Sequence, residues 1–367
     1  MNTLPRLRLA SQRFLLRVLR SLRNHLGLET TTYVDERVGQ YRRYWQDAAS
    51  VLSAEFEALS DSIWEVRRNG VRTRIAHYVT ELDNPAVLRL AGDKALLHRM
   101  AEAAGVSVPE HVTIGVEDID QARDLLDRTG GPCVVKPARD TASGLGITTY
   151  VQGPYGLEWA VALASIFCPE ILVESQVPGE SYRLLFLNGR LLHAVRRRGT
   201  RVQADGVHTI RALAARARLG SFDRLMVRTL DAQGWTADAV PTDGTSVLLR
   251  GLPAGQGRTR ELRTVYDEDV TELIGPDLVD ELSMLVSRIG VSFAGIDVVT
   301  VDPSRPLGGG IGALIEINTT PGIHHHDVRR DGNGAFRVAE VVLSELLSPE
   351  RRRTASLAGP EAPEMVD

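Results

Sequence analysis

Lysine is nearly missing from this chain: among 43 basic residues only Lys94 and Lys136 carry an ammonium, and the rest are arginine. A composition that uses arginine wherever positive charge is wanted has no general need of lysine. The two exceptions therefore point to places that want a compact charge with three rotatable donors, such as a phosphate oxygen at the end of a narrow channel. Cysteine is scarce as well. Cys133 and Cys168 sit in apolar stretches without CxxC spacing, which argues against a thiolate metal site or a disulfide framework and for reduced core residues of a cytoplasmic protein. Long apolar runs are absent: none approaches the roughly 20 residues needed to span a bilayer, and no secretory signal is evident. With a net charge of −4, nothing in the overall balance favours a nucleic-acid partner. What remains is an ordinary globular composition, 43% hydrophobic and 25% charged over 367 residues, long enough for two or three packed units.

The chain divides by texture. Residues 1–90 read as a mainly helical N-terminal region. Its first helix is basic, with Arg6, Arg8, Arg13, Arg17, Arg20 and Arg23 around the recurring Leu15, Leu19, Leu22 and Leu26. This pattern predicts an amphipathic helix packed on its own protein or on a sister subunit, with an anionic membrane as the lesser alternative. A second stripe, Tyr41, Tyr44, Trp45, Ala48, Leu52, Phe56 and Leu59, predicts a core-facing helix over 35–60. From Asp93 onward helix and strand alternate. Asp93 is placed to cap a helix over 94–104 and Gly105 to end it. Asn188-Gly189 joins two apolar runs, 181–187 and 190–197, as a two-residue hairpin loop does. Residues 348–367 lack periodicity and read as a frayed, disordered tail.

Several stretches carry chemistry. Cys133-Val134-Val135-Lys136-Pro137 delivers a lysine at the end of a strand. The small-residue loop that follows, through Ser143, Gly144 and Gly146, permits close approach to phosphates. Because the lysine precedes the glycines, this is neither a Walker A loop nor a dinucleotide fingerprint. Glu174 and Glu180 flank a Pro-Gly turn, where carboxylates can accept hydrogen bonds from hydroxyls or an amino group. In the expected hairpin Arg183 pairs with Ala194, which places Arg183 and Arg196 diagonally on one face. Two guanidiniums so placed suit an anion between them. A second hairpin, Gly295–Val299 with Leu314–Asn318, brings Asp297, Glu316 and Asn318 to one face among Ile and Val. Three oxygen donors there suit Mg²⁺ better than they suit a core. His324, His325 and His326 are consecutive and cannot easily converge on one ion, so they are expected to line or cover the acceptor side of a cleft.

Taken together, GDKALLHRMAEAAGVSVPEH, CVVKPARDTASGLGIT, ILVESQVPGESYRLLFLNGRLLHAVRRR, ADGVHTIRAL and AGIDVVTVDPSRPLGGGIGALIEINTTPGIHHH resemble the ATP-grasp superfamily, in particular the ATP-grasp region of the cyanophycin synthetase family. The resemblance covers about residues 90–340. It implies an α/β (α+β) fold in which two lobes, 91–172 and 173–347, enclose ATP. It further implies that Lys94 and Lys136 contact phosphates, with Ser143 and Gly144 in the loop beside them. Glu174 falls on the interlobe hinge, Val177 beside the adenine, Glu180 on the ribose, and Asp297, Glu316 and Asn318 on Mg²⁺. Arg250, in a segment that matches only loosely, is the candidate for a further phosphate-proximal cation beside Arg183 and Arg196. The Mur-ligase-like half of that family has no counterpart in this sequence, and residues 1–90 do not resemble its N-terminal domain. The implied activity is an ADP-forming carboxylate–amine ligase working through an acylphosphate on a small acid and amine or a short peptide. A macrocycle-forming peptide ligase and a non-catalytic nucleotide sensor are the alternatives. A homo-oligomer is expected.

Overall fold

The computed structural model describes residues 3–25, 33–139, 141, 146–197, 200–217, 219, 224–231, 233–250, 267–326 and 337–349. The order begins with helices α1 (Thr3–His25) and α2 (Tyr33–Val51), then strands β1 (Glu55–Ala58), β2 (Ile63–Arg68) and β3 (Val71–Ala76). Helices α3 (Pro85–Gly92) and α4 (Lys94–Ala103) lead into the first lobe. There β4 (His111–Ile114), α5 (Ile119–Thr129), β5 (Cys133–Pro137), β6 (Thr148–Val151), α6 (Gly153–Ala164) and β7 (Ile171–Ser175) form an antiparallel sheet of order β4-β7-β5-β6. Helices α5 and α6 bury Ala122, Leu125, Leu157, Ala160 and Val161 against Val135 and Val173 of that sheet. Cys133 and Cys168 are buried, free thiols.

The second lobe opens with β8 (Glu180–Leu187) and β9 (Arg190–Arg197), followed by a small unit of β10 (Thr200–Gln203), α7 (Ile210–Arg216), α8 (Arg224–Asp231) and β11 (Ser246–Arg250) with its own core. The chain returns through β12 (Asp267–Asp269), α9 (Pro276–Ile289), β13 (Phe293–Thr300), β14 (Gly312–Asn318) and α10 (Val338–Leu346). The main sheet is five-stranded and antiparallel, in the order β12-β9-β8-β13-β14. Strand alternation divides its two faces. Tyr182, Leu184, Phe186, Ile296 and Val298 pack under α9 with α3 and α4, whereas Leu185, Leu187 and Phe293 join a core with α2, α10 and the β1–β3 meander. Helix α2 and the β1–β3 meander are thus part of the second lobe's hydrophobic core.

That region differs from the helical expectation. Helix α2 stops at Val51, Ser53 takes φ +51, and Phe56 and Leu59 belong to β1 and its turn. The cause is local: Asn69 and Gly70 adopt φ +51 and +75, the left-handed pair that closes a two-residue hairpin. Around it β2 turns Trp64 and Val66 into the core, while Glu65 on the other face is covered by its arginine partners Arg67 and Arg74. The stripe that looked helical over 35–60 is a helix followed by a strand. The later hairpin obeys the same rule, with Asn188 and Gly189 at φ +49 and +74.

Candidate active site

The two lysines come from different elements of one seam. Asp93 caps α4 by accepting from the Leu96 amide at 2.9 Å, so Lys94 opens the helix, and its own amide donates to the Ala138 carbonyl just beyond β5 at 3.0 Å. This bond fixes the start of α4 beside the end of the strand that carries Lys136. Both ammoniums are buried and both reach β14: Lys94 Nζ lies 3.8 Å from Glu316 Oε1, and Lys136 Nζ lies 3.4 Å from the Ile315 carbonyl. Lys136 is also 2.7 Å from Glu174 Oε1 on neighbouring β7. Glu174 is therefore a buried counter-ion of a lysine. A charge sequestered in this way is costly unless it is matched, and each lysine here faces an acid.

His98 was not singled out from sequence, although it stands four residues after Lys94 and therefore on the same helix face. Its buried Nε2 lies 3.4 Å from Glu174 Oε1 and 3.5 Å from the Ile315 carbonyl. Burial, reinforced by Lys136, drives its pKa down to about 3. The ring is neutral at any physiological pH and adds a polar wall without adding charge.

On the second lobe, Arg183 and Asp297 stand opposite one another across β8 and β13. The guanidinium grips the carboxylate with both prongs, Nε to Oδ1 and Nη2 to Oδ2, each at 2.6 Å. Asn318 Nδ2 donates to Asp297 Oδ2 at 3.2 Å, and Glu316 is the direct cross-strand partner of Asp297. Asp297, Glu316 and Asn318 therefore share a face, as their spacing predicts. Burial alone would raise the Asp297 pKa, but Arg183 and then Arg197 outweigh it and hold the carboxyl below its usual range.

The arginine pairing needs correction. The β8–β9 ladder slips between Leu185 and Phe186, so Leu185 faces His193, Phe186 faces Leu191 and Leu192 is left over. Such a bulge turns every later residue of the strand to the other face. Arg183 consequently faces Val195, not Ala194, and Arg196 faces Tyr182 on the opposite side, where it binds Glu268 at 2.7 Å. The second guanidinium of the site is Arg197, whose Nη1 lies 3.9 Å from Asp297 Oδ2.

The remaining candidates lie around this core. Val177 is half-buried in the turn before β8. Glu180 opens that strand opposite Thr300, with Arg201 Nη2 at 4.0 Å. Gly179 permits the close turn: at φ +123, a Cβ would stand 2.5 Å from the Thr300 carbonyl oxygen. Ser143 and Gly144 lie outside the described residues, as does the Arg250 side chain, although its backbone pairs with Thr200 in β11.

The three histidines are buried and occupied separately. His324 Nδ1 meets the Tyr41 hydroxyl of α2 at 2.6 Å, and His326 Nδ1 meets His193 Nδ1 at 3.1 Å. Burial first, then His193, His325, Arg183 and Arg197, push the His326 pKa far down. Helix α2 thus reaches the histidine run through Tyr41. The donors that suit a hard cation lie elsewhere: Asp297, Glu316 and Asn318 present oxygen ligands, and Asp297 Oδ1 keeps a second lone pair beside its bond to Arg183, whereas Oδ2 accepts from both Arg183 and Asn318. This set fits Mg²⁺ chemically.

No protein-family model matches the chain. Cyanophycin synthetase of Trichormus variabilis is 30% identical over 265 residues, 67% of this chain and 28% of that protein. The cyanophycin synthetase of Crocosphaera subtropica is 30% identical over 76% of this chain and 33% of its own length. The glutathione biosynthesis bifunctional protein GshAB of Streptococcus thermophilus is 28% identical over 74% of this chain and 37% of its own. The chain accordingly spans roughly a third of these relatives. Among solved structures, a bifunctional glutathione synthetase from Pasteurella multocida superposes with a TM-score of 0.57 at 19% identity, covering 83% of this chain and 43% of that one. Sheet orders, the paired lysines and these homologues agree: the chain has the ATP-grasp fold and belongs to the ATP-grasp superfamily.

Proposed function

We propose that this protein is an ADP-forming carboxylate–amine ligase that activates an acid as its acylphosphate and transfers the acyl group to an amine. The observation that carries this reading is the meeting of two buried ammoniums from one side of a seam with the Glu316 edge of β14 on the other. The homologous cyanophycin synthetases and GshAB proteins support the same class of reaction.

Catalysis in such a site is positioning and charge neutralisation, with no protein nucleophile. Lys94 and Lys136 hold phosphate oxygens. On ATP binding, Lys136 exchanges part of its pairing with Glu174 for the nucleotide, and the freed carboxylate becomes an acceptor for the adenine amino group. Val177 packs by the base, and Glu180 accepts from the ribose. Asp297, Glu316 and Asn318 would hold Mg²⁺, which would supply charge neutralisation. Arg183 and Arg197 face the same space and steady the charge on the transferred phosphoryl group and the acylphosphate. A phosphate-release screen over amino acids and short peptides, with mass spectrometry of the products, tests the assignment. Amide product with stoichiometric ADP is expected. Nucleotide binding without turnover on any acid would leave only the sensor alternative.

The bulge in the β8–β9 ladder separates two adjacent arginines. Arg197→Ala is expected to lower kcat/KM on the order of 100-fold, as the loss of one preorganised cation does. Arg196→Ala, which breaks only a rim pair with Glu268, should stay within about threefold. Steady-state kinetics of the two variants decide the matter, and the reverse order would mean that the ladder is in the unslipped register.

A further inference from the structure

Helix α1 is mounted inside out. Leu9 is buried in the first-lobe core and Leu16 packs against it, while Arg8 binds Glu158 of α6 at 2.6 and 2.7 Å and Arg13 donates to Ser165 at 3.0 Å. At about 100° per residue Leu9 and Leu16 lie within about 20° of each other, and Phe14, Leu15, Val18 and Leu19 fill an arc of roughly 140° on the far side. That far side is the larger apolar face, and it is open: Phe14 is 72% exposed, Leu15 51%, Leu19 47% and Val18 37%. The helix packs on its own protein through Leu9 and Leu16, while Leu15 and Leu19 of the leucine stripe face outward. Among the described residues nothing covers it. A contiguous apolar face of this kind is a marker of an interaction surface.

Charge identifies the occupant. The stretch from Met1 to Leu28 contains no acidic residue and six arginines, Arg6, Arg8, Arg13, Arg17, Arg20 and Arg23. Glu158 of α6 answers Arg8. A second copy of the same helix would bring two such acid-free segments together, which like-charge repulsion opposes. We propose that α1 docks this protein on a bilayer containing anionic lipid, with Phe14, Leu15, Val18 and Leu19 seated at the headgroup–acyl boundary and the exposed Arg17 paired with lipid phosphate. No described helix is long and apolar enough to cross a membrane, so the contact is peripheral, the mode of an amphipathic helix lying in the interface. The inference is independent of the ligase assignment, because it uses no residue of the seam.

Flotation of the full chain with phosphatidylglycerol–phosphatidylcholine vesicles, against phosphatidylcholine alone, tests it. Binding at least tenfold stronger to the anionic vesicles is expected, falling steeply between 0.1 and 0.5 M salt. The exposed double substitution Leu15→Ser/Leu19→Ser should reduce binding at least tenfold with an unchanged melting temperature, and Arg17→Glu should weaken it in the same direction. Wild-type protein that does not float, or a double variant that floats like wild type, overturns the proposal. So does light scattering that shows a wild-type dimer converted to monomer by the double substitution, which would assign the face to self-association.

Discussion

Lys136→Ala is expected to abolish measurable ADP formation and also to lower the melting temperature. From the sequence alone only the first effect is anticipated, because a strand-end lysine before a glycine loop reads as a ligand for phosphate and its partner in the fold is not visible. In the fold the ammonium is buried 2.7 Å from Glu174, itself buried. Truncating one member of such a pair strands the other charge in a low-dielectric site, a loss of about 3–5 kcal/mol. The double variant Lys136→Met/Glu174→Gln separates the two effects, since it removes both charges and keeps the volume. It should recover most of the lost stability and none of the turnover. Calorimetry with a coupled ADP assay reads both. A Lys136→Ala protein that makes ADP at the wild-type rate would show that the phosphates bind elsewhere. An unchanged melting temperature would show that the Lys136–Glu174 pair is solvated.

The difference between those two readings shows where sequence stops. Spacing determines which side chains share a face, so Asp297, Glu316 and Asn318 were legible as one constellation, and cap and turn chemistry located α4 and the β8–β9 hairpin. Asn69-Gly70 carried the same hairpin signal as Asn188-Gly189, and the β1–β3 meander was readable from it. The apparent 3.6-residue stripe through Phe56 and Leu59 masked it, because Leu52, Phe56 and Leu59 satisfy a helical template while the local turn dictates strand. The bulge after Leu185 was not legible. An inserted residue in a ladder is chosen by packing on both faces, here Leu185 into the α2 core and Phe186 under α9, and it exchanged Arg196 for Arg197. Pairing between strands distant in sequence was hidden as well: nothing near Lys136 in sequence announces Glu174 of the adjacent strand as its counter-ion or His98 as the neutral wall beside them. The α1 stripe was visible as a stripe, but its orientation depended on Glu158 and Ser165, more than 140 residues away.

Asp297→Asn should produce the second large loss, and its partner determines the form of that loss. The carboxylate receives both prongs of Arg183, a contact from Asn318 and the nearby charge of Arg197. The amide that replaces it cannot balance the buried Arg183 and the half-buried Arg197, so destabilisation of about 3 kcal/mol or more is expected. Turnover should fall on the order of 100-fold or more, because the same carboxylate is a proposed Mg²⁺ ligand and orients Arg183. Adding Arg183→Met removes the stranded charge. If the two groups act as a buried pair, the double variant is more stable than Asp297→Asn alone, with a coupling energy of about 2 kcal/mol, yet remains inactive. Urea titration of the four proteins gives that coupling directly. Additive costs within about 0.5 kcal/mol would mean that Arg183 and Asp297 do not share the bidentate contact in solution, and the anion-facing role of Arg183 would lose its support.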